Sequence, residues 1–348
     1  MAYEGVLEDY GRAIAGGRPV RMPALVCSEE ADVRIAGSRY DRYNSTVSEM
    51  VRVQREAVER FDYDWVWLQV DDCLEFEPLG VKVEGGGDIL PATCGYLPWE
   101  HSSIDHLRRQ GYQVVGRMRV LLGAISELKG FLGDRVCICG RTAAPFSSVT
   151  LAFGIQETLL ALYDQPDLVR DALKVFVDYQ IAFGLDQIQA GADALWLGDC
   201  NASGHLISAE MYTDYAFGPA REVCAAYREA GCVVHAHNSE ERPALLSAQK
   251  EAGFSIINCG PGIDMLDARA AVGPGQCLSG NVDPIEVLMR GSPSEVREAV
   301  LGLINRVSVH GGHIMCSGEM VPRDTPAANL EAFVQAIRDG WDGVRLGG

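Results

Sequence analysis

Residues 232–239, Cys-Val-Val-His-Ala-His-Asn-Ser, begin as an apolar run and end in polar residues, as a short buried strand does where it meets a loop. Residues two apart on a strand point to the same side, so His235 and His237 present both imidazoles to one face. Imidazole is a common zinc ligand, and a His-x-His pair at a strand end predicts two ligands of a metal site. The alternative is two polar residues at an ordinary strand-to-loop junction.

The same apolar-then-polar pattern recurs along the chain. Runs that predict short strands lie near residues 23, 65, 136, 194, 232, 255, 276 and 313, and each is followed by a predicted helix. This alternation predicts a parallel sheet, and eight such units in 348 residues predict a (β/α)8 TIM barrel of the α/β class. The alternative is an open, doubly wound sheet. It is disfavoured because no Gly-x-Gly-x-x-Gly follows the first strand and no Gly-x-x-x-x-Gly-Lys occurs.

Two segments lie outside this repeat. Residues 5–16 predict a helix that extends the barrel at its N-terminus. Residues 75–135 predict an insertion after the second strand, with helices near 101–110 and 117–130. We expect both segments to elaborate a single barrel domain of residues 1–348 rather than to form a second domain.

Charge and cysteine usage narrow the class of protein. The chain has 30 Lys and Arg against 48 Asp and Glu, a formal net charge of −18, which disfavours binding to nucleic acid or to an anionic membrane. No apolar run of about 18 residues predicts a membrane span, and the first residues do not resemble a signal peptide. The 11 cysteines form no Cys-x-x-Cys motif, which favours a reducing compartment. We therefore expect a cytoplasmic protein.

Polar side chains follow most of the predicted strands, and barrel enzymes carry their active sites at these C-terminal strand ends. The residues in question are Asp71, Asp72, Arg141, Asp199, His235, His237, Asn258, Asn281, Asp283, Cys316 and Glu319. Two imidazoles with a thiolate or a carboxylate and one open position are typical of catalytic zinc, so Cys316 or Glu319 is the expected third ligand. The alternatives are that Cys316 is a small core residue and Glu319 a solvated loop carboxylate.

The remaining strand-end residues are expected to handle substrate. Asp199 is predicted to be catalytic, as a proton donor or acceptor, together with Glu319; the alternatives for Asp199 are a substrate anchor and a helix cap. Asp72 is preferred over Asp71, because only one of two neighbouring side chains points inward easily. The predicted substrate-binding residues are Asp72, Arg141, Asn258 and Asn281.

Several motifs in the C-terminal half point to a known family. They are Gly280-Asn-Val-Asp-Pro284, Gly291-Ser-Pro-Ser-Glu-Val296, Gly311-Gly312 and Thr325-Pro-Ala-Ala-Asn-Leu330. Together they resemble the uroporphyrinogen decarboxylase superfamily, over residues 190–340 most closely and more loosely before. The resemblance implies a (β/α)8 barrel and allows for a homodimer.

The superfamily has two main chemistries, and the resemblance is closer to one of them. The decarboxylase branch carries an Arg-Gln-Ala-Gly-Arg type signature near its N-terminus, whereas this chain has Glu29-Glu30 and Arg39-Tyr-Asp-Arg42 in that region. The other branch consists of corrinoid-dependent methyltransferases, which move a methyl group between a cobalamin-bearing protein and a small molecule. No Asp-x-His-x-x-Gly occurs in this chain, so the resemblance implies that the cobalamin arrives on a separate corrinoid protein.

The resemblance also implies a metal site with altered ligands. Zinc-dependent members of that branch use a His-x-Cys motif and a later Cys before Thr-Pro. Here His235 matches the His, His237 replaces the Cys, and Glu319 falls at the later Cys, with Cys316 three residues before it. This ligand set is harder than one rich in thiolates. It implies demethylation of a methyl ether or a similar oxygen or nitrogen compound rather than of a thiol, with zinc polarising the leaving atom.

Two other functions remain open from the sequence. A metal-assisted or metal-free decarboxylase or lyase would act on a small carboxylate held by Arg141, and would release carbon dioxide without cobalamin. A non-catalytic module that binds a metal or a tetrapyrrole is the third hypothesis. The many polar strand ends disfavour it.

Overall fold

Eight parallel strands form a nearly closed barrel in a computed structural model that describes residues 3–347. The ten strands in chain order are β1 Ala24–Leu25, β2 Trp65–Trp67, β3 Lys82–Gly86, β4 Ile89–Gly95, β5 Cys137–Ala143, β6 Ala194–Gly198, β7 Val233–Glu240, β8 Ile256–Cys259, β9 Cys277–Val282 and β10 His313–Ser317. The barrel order is β1-β10-β9-β8-β7-β6-β5-β2. Asp64, just before β2, donates its backbone N–H to the carbonyl of Ala24 at 3.3 Å, across the gap between β2 and β1. The predicted barrel is confirmed, and the open-sheet alternative is wrong.

Helices surround the barrel and follow its strands. In chain order they are α1 Val6–Ile14, α2 Glu29–Ile35, α3 Tyr40–Tyr43, α4 Val47–Phe61, α5 His101–Gln110, α6 Arg117–Leu132, α7 Pro145–Phe153, α8 Ile155–Asp164, α9 Pro166–Ala190, α10 Ala209–Met211, α11 Gly218–Glu229, α12 Pro243–Lys250, α13 Met265–Val272, α14 Pro293–Arg306 and α15 Ala327–Gly347. Ser292 and Glu295 form the capping box that begins α14. Within residues 3–347, no helix is long and apolar enough to cross a membrane.

The predicted N-terminal extension closes one end of the barrel. Three buried residues of α1, Val6, Tyr10 and Ala13, pack with inward-facing strand residues such as Trp65 and Cys137. These strand residues lie at the N-terminal ends of their strands, so α1 covers the end of the barrel opposite to the predicted site. The barrel interior above it is filled by large aromatic side chains, Trp65, Trp67 and Trp196, and by the thiols Cys27, Cys139, Cys277 and Cys316.

The predicted insertion after the second strand is present, but it is shorter than residues 75–135. The antiparallel pair β3–β4 and the helix α5 are additions to the barrel. Helix α6 instead packs against α4 and α9, as a member of the outer helical ring does. It therefore takes the place of the regular helix between the second and third barrel strands.

Candidate active site

His237 lies at the centre of the polar cluster at the C-terminal end of the barrel. Its Nδ1 is 2.9 Å from Oδ1 of Asn258, and its Nε2 is 3.5 Å from Oε2 of Glu319 and 3.3 Å from Oγ of Ser239. Its ring stacks on Trp196, with centroids 4.4 Å apart. Because the Oδ1 atom of an amide can only accept, Nδ1 of His237 carries a proton and Nε2 faces the carboxylate.

The loop that carries Glu319 is tied to three neighbouring strands. Gly318 donates its N–H to Val282 at the end of β9, and Val321 donates to Cys27 just beyond β1. A Cβ on Gly318 would lie 3.0 Å from the backbone nitrogen of Pro261 and 3.2 Å from the carbonyl of Cys259. A side chain at this position would therefore crowd the approach of the two loops, which holds the following glutamate over the barrel.

His237 and Glu319 form an ion pair. Burial by itself disfavours the charged imidazole, but the Cys200 thiol and the Glu319 carboxylate outweigh it and raise the pKa of His237 well above its usual value. Burial by itself raises the pKa of Glu319, yet the interaction with His237 lowers it below the ordinary value. The pair thus places a negative oxygen against a positive ring at the mouth of the barrel.

His235 lies deeper and faces a different partner. Its Nε2 is 2.6 Å from Oγ of Ser279 on β9, and its ring meets the edge of Trp196 at a centroid distance of 4.5 Å. Burial, with a smaller contribution from His237, lowers the pKa of His235 to about 3, so the ring is neutral. The two histidines share a face of β7, as predicted, but their nitrogen atoms do not converge on one point.

The predicted metal site of His235, His237 and either Cys316 or Glu319 is not assembled in the structure. Among residues 3–347, no three His, Cys, Asp or Glu side chains lie close enough together to hold a metal ion. Cys316 is fully buried inside the barrel, with its Sγ 3.9 Å from Sγ of Cys27, so the alternative of a core residue describes it. His237 and Glu319 alone are brought together. Strand alternation explains the difference, because Cys316 and Ile314 point into the packed interior whereas Glu319 lies beyond the end of β10.

His237 and Glu319 are nonetheless arranged as zinc ligands are. A metal-binding histidine usually donates its other ring N–H to an oxygen acceptor, which fixes the tautomer and points the free nitrogen at the ion. His237 shows this arrangement with Asn258, and its Nε2 faces a carboxylate. Sequence analysis missed Cys200, whose thiol contributes to the raised pKa of His237. Its position one residue after Asp199 at the end of β6 is the signal that would have found it.

Asp199 follows β6, and its carboxylate is held at the beginning of α7. Its Oδ1 accepts from the backbone N–H of Ser147 at 3.2 Å and from the Ser147 hydroxyl at 2.8 Å. Its backbone N–H donates to the carbonyl of His237, which joins it to the histidine strand. Burial raises the pKa of Asp199 to about 7, although the Ser147 hydrogen bonds oppose the rise. A carboxyl group that titrates near neutrality can both donate and accept a proton.

Arg141 is already paired within the protein. Its buried guanidinium lies 3.4 Å from Oε1 of Glu75 and 3.5 Å from Oδ1 of Asp72, and it donates to the carbonyl of Asp71. Glu75 is fully buried and also accepts from Gln180. The positive charge of Arg141 is therefore compensated before any substrate binds. This weakens the prediction that it anchors a substrate carboxylate.

The two aspartates after β2 have different surroundings. Asp71 is buried and its carboxylate forms an ion pair with Arg117. The side chain of Asp72 is 63% exposed, and its contacts are with Arg141 and Gln69. The buried neighbour is thus Asp71 rather than Asp72, and Asp72 is the one with access to solvent. Its predicted role in binding substrate stays a prediction.

Three further strand-end residues have structural partners. Asn258 is fully buried between His237 and Ser279. The amide nitrogen of Asn281 donates to the carbonyls of Gly260 and Ile263 at 2.9 and 2.8 Å, which holds the loop after β8. Asp283 caps the π-helical turn Pro284–Met289. Their side-chain amide and carboxylate groups stabilise the mouth of the barrel, and the predicted binding of substrate by Asn258 and Asn281 stays a prediction.

Glu29 is a buried acid that the sequence analysis did not assign. It accepts from the Tyr43 hydroxyl at 2.5 Å and from the backbone N–H of Val70 at 2.7 Å. Burial raises its pKa from 4.5 to about 8, although these hydrogen bonds oppose the rise. Its position directly after the first strand carried the same signal as the other strand ends.

This pKa predicts how stability depends on pH. Since the folded protein holds the Glu29 proton up to about pH 8 and the unfolded chain releases it near 4.5, the contribution of Glu29 to stability is fully present below pH 4.5 and is lost as pH rises through 8. In urea titrations, the free energy of unfolding of Glu29→Gln relative to the native protein should therefore increase with pH in this range. Parallel curves for the two proteins would contradict the assignment.

Most of the chain matches one known family. The model of the family described as uroporphyrinogen decarboxylase (URO-D) matches residues 7–340. This chain belongs to the uroporphyrinogen decarboxylase family. A methylated-thiol–coenzyme M methyltransferase of Methanosarcina mazei is 26% identical over 275 residues, with 78% of this chain and 71% of that protein covered. A methylcobamide:CoM methyltransferase of Methanosarcina acetivorans is 24% identical, with 92% and 93% covered.

A further relative is similar over less of the chain, and one solved structure shares its fold. A uroporphyrinogen decarboxylase of Chlorobaculum tepidum is 27% identical, with 64% of this chain and 65% of that protein covered. The solved structure of a methyltransferase from Methanosarcina mazei has the same fold, with a TM-score of 0.82, 18% identity, and 94% and 96% of the two chains covered. These comparisons confirm the expected family and an enzyme of the methyltransferase kind.

Proposed function

We propose that this member of the uroporphyrinogen decarboxylase family transfers a methyl group between a small methylated compound and a cobalamin carried on a separate corrinoid protein. The observation that supports this proposal most directly is the His237–Glu319 pair at the mouth of the barrel. The chain is also similar to methylcobamide:CoM and methylated-thiol methyltransferases. The methyl group would pass from the small molecule to cobalt, and the electron pair of the broken bond would stay with the departing atom.

The donor atoms favour a methyl ether or a similar compound as the methyl source. Imidazole and carboxylate are harder ligands than thiolates and favour oxygen or nitrogen over sulfur. The thiols of the barrel interior do not change this preference, because Cys316 and Cys27 face each other below the site. O-demethylation is therefore the proposed direction of use.

We further propose that His237 and Glu319 hold zinc. Zinc bound there would supply Lewis-acid polarisation of the leaving oxygen. Asn258 keeps Nε2 of His237 directed at the carboxylate. Asp199, with a pKa near 7, would deliver the proton that the departing oxygen takes up.

The methyl transfer itself is tested with free cobalamin under anaerobic conditions. Zinc-loaded protein is mixed with cob(I)alamin and a panel of methoxylated aromatic and aliphatic compounds, and methylcobalamin formation is followed by absorbance. We expect a substrate-dependent rate that His237→Ala abolishes. If the protein exchanges methyl groups neither with cob(I)alamin nor with methylcobalamin, the proposal fails.

Metal binding gives a separate prediction. Elemental analysis of freshly purified protein should find one zinc per chain, and His237→Ala should lose it because the central donor is gone. Cys316→Ser should keep its zinc, since that thiol lies in the barrel core. Zinc loss in Cys316→Ser but not in His237→Ala would reverse the ligand assignment.

The decarboxylase or lyase hypothesis has less support. It requires Arg141 to hold a substrate carboxylate, but that guanidinium is buried against Glu75 and Asp72. Release of carbon dioxide from a small carboxylic acid without cobalamin would support the decarboxylase or lyase hypothesis instead. The chain shows no observation that favours this outcome over methyl transfer.

A further inference from the structure

The two histidines of the His-x-His motif are the two ends of one buried hydrogen-bond chain. From His237 the chain runs through Nδ1 to Oδ1 of Asn258 at 2.9 Å, then from Nδ2 of Asn258 to Oγ of Ser279 at 3.4 Å. From Ser279 it continues to Nε2 of His235 at 2.6 Å. All four side chains are at least nine-tenths buried.

Barrel register brings these residues together. His235 is paired with Ile256 on β8, so Asn258, two residues further on, lies beside His237. Asn258 is paired in turn with Ser279 on β9. The hydrogen-bond chain therefore links three adjacent strands of the barrel, and each link joins residues of strands rather than of loops.

The donors in this chain all point in one direction. Oδ1 of Asn258 accepts from His237, which leaves Nδ2 of the same amide to donate to the Ser279 oxygen. The Ser279 hydroxyl then has its own proton left to donate, and the acceptor within reach is Nε2 of His235. A neutral His235 with a lone pair on Nε2 completes the sequence of donors, and a metal ion on that nitrogen would interrupt it.

We propose that His235 binds neither metal nor substrate, but is a positioning residue that acts through Ser279 and Asn258 to fix the ring orientation and tautomer of His237. This inference deepens the proposed function, because it removes one expected ligand and states what the residue does instead. Its consequence for the site is that Nε2 of His237 stays aimed at Glu319.

The test uses the proton on Nδ1 of His237, which exists whether or not metal is bound. In ¹⁵N-histidine-labelled, metal-free protein, this proton should give a protected signal in two-dimensional ¹H–¹⁵N spectra, assigned by its loss in His237→Gln. Ser279→Ala and His235→Phe should each speed its exchange with water at least about 10-fold, and the double variant should add little. His235→Gln, which keeps an acceptor, should restore part of the protection.

A second buried Ser–His pair provides the control. Oγ of Ser308 lies 2.8 Å from Nδ1 of His313, whose Nε2 contacts the carbonyl of Gly280, with no link to His237. Ser308→Ala removes a similar hydrogen bond and should leave the His237 signal unchanged. Equal effects of Ser279→Ala and Ser308→Ala, or no effect of Ser279→Ala, would overturn the proposal.

Zinc affinity gives the second readout. His235→Phe and Ser279→Ala should weaken zinc binding by about 10–100-fold, as loss of a group behind a ligand does, and keep one zinc per chain at saturation. Complete zinc loss in His235→Phe with full retention in Ser279→Ala would make His235 a ligand after all. Absence of methyl transfer would contradict the proposed function, but it would not affect the result on proton exchange at Nδ1 of His237.

Discussion

Glu319→Gln should lower the rate of methyl transfer to cobalamin by about 10²–10³-fold. This is the largest effect on activity that we expect from a substitution that keeps the size of the side chain. The variant keeps the size of the side chain but removes the negative charge 3.5 Å from Nε2 of His237. Without it, the mouth of the barrel loses an anionic metal donor and the partner that stabilises a charged imidazole.

The rate is measured together with zinc content, so that loss of metal and loss of chemistry are separated. Asp324→Asn is the matched control, because Asp324 lies in the same loop and pairs with Arg34 at the surface. It should keep both zinc and activity. Full activity of zinc-loaded Glu319→Gln would remove this carboxylate from the mechanism.

Arg141→Met should lower the free energy of unfolding by about 3–5 kcal/mol, the largest stability loss that we expect. The guanidinium is buried beside Glu75, and its removal leaves a carboxylate without a compensating charge in the protein interior. Burial already raises the pKa of Glu75 while Arg141 opposes the rise. The loss should therefore be smaller at low pH, where the orphaned carboxyl takes up a proton.

Urea unfolding at several pH values measures this effect. Arg290→Met is the control, since Arg290 pairs with Glu286 at 2.5 Å but both side chains are 63% exposed, and it should cost less than about 1 kcal/mol. A loss of similar size in both variants would mean that Arg141 is not a structural charge. It would then be free to bind substrate, as the decarboxylase hypothesis requires.

Much of the fold could be predicted because it depends on local pattern. Each barrel strand is a short apolar run that ends in polar residues, and the predicted positions near 65, 136 and 194 agree with β2, β5 and β6. Helix α6 was misassigned to the insertion because its sequence is like that of any amphipathic helix. Only its packing against α4 and α9 shows that it belongs to the outer ring.

The site was predicted only in part, because its contacts join residues far apart in the chain. The sequence placed His237 and Glu319 at strand ends, but their contact depends on Gly318 packing against the loop after β8. It did not distinguish a thiol inside the barrel from a carboxylate three residues later. Cys316 was therefore predicted to be a ligand, although it packs against Cys27.

The sequence by itself determined the parallel barrel, the family and the strand ends where the polar residues gather, because alternation and apolar runs are local properties of the chain. Tertiary structure alone decided which of those residues meet. Strand register aligned Asn258 and Ser279 with the two histidines, and so separated His235 from His237, although they share one face of β7. The physical reason is that a hydrogen bond or an ion pair requires two atoms within about 3–4 Å, a distance that residues 21 positions apart, such as His237 and Asn258, reach only once β7 and β8 pair.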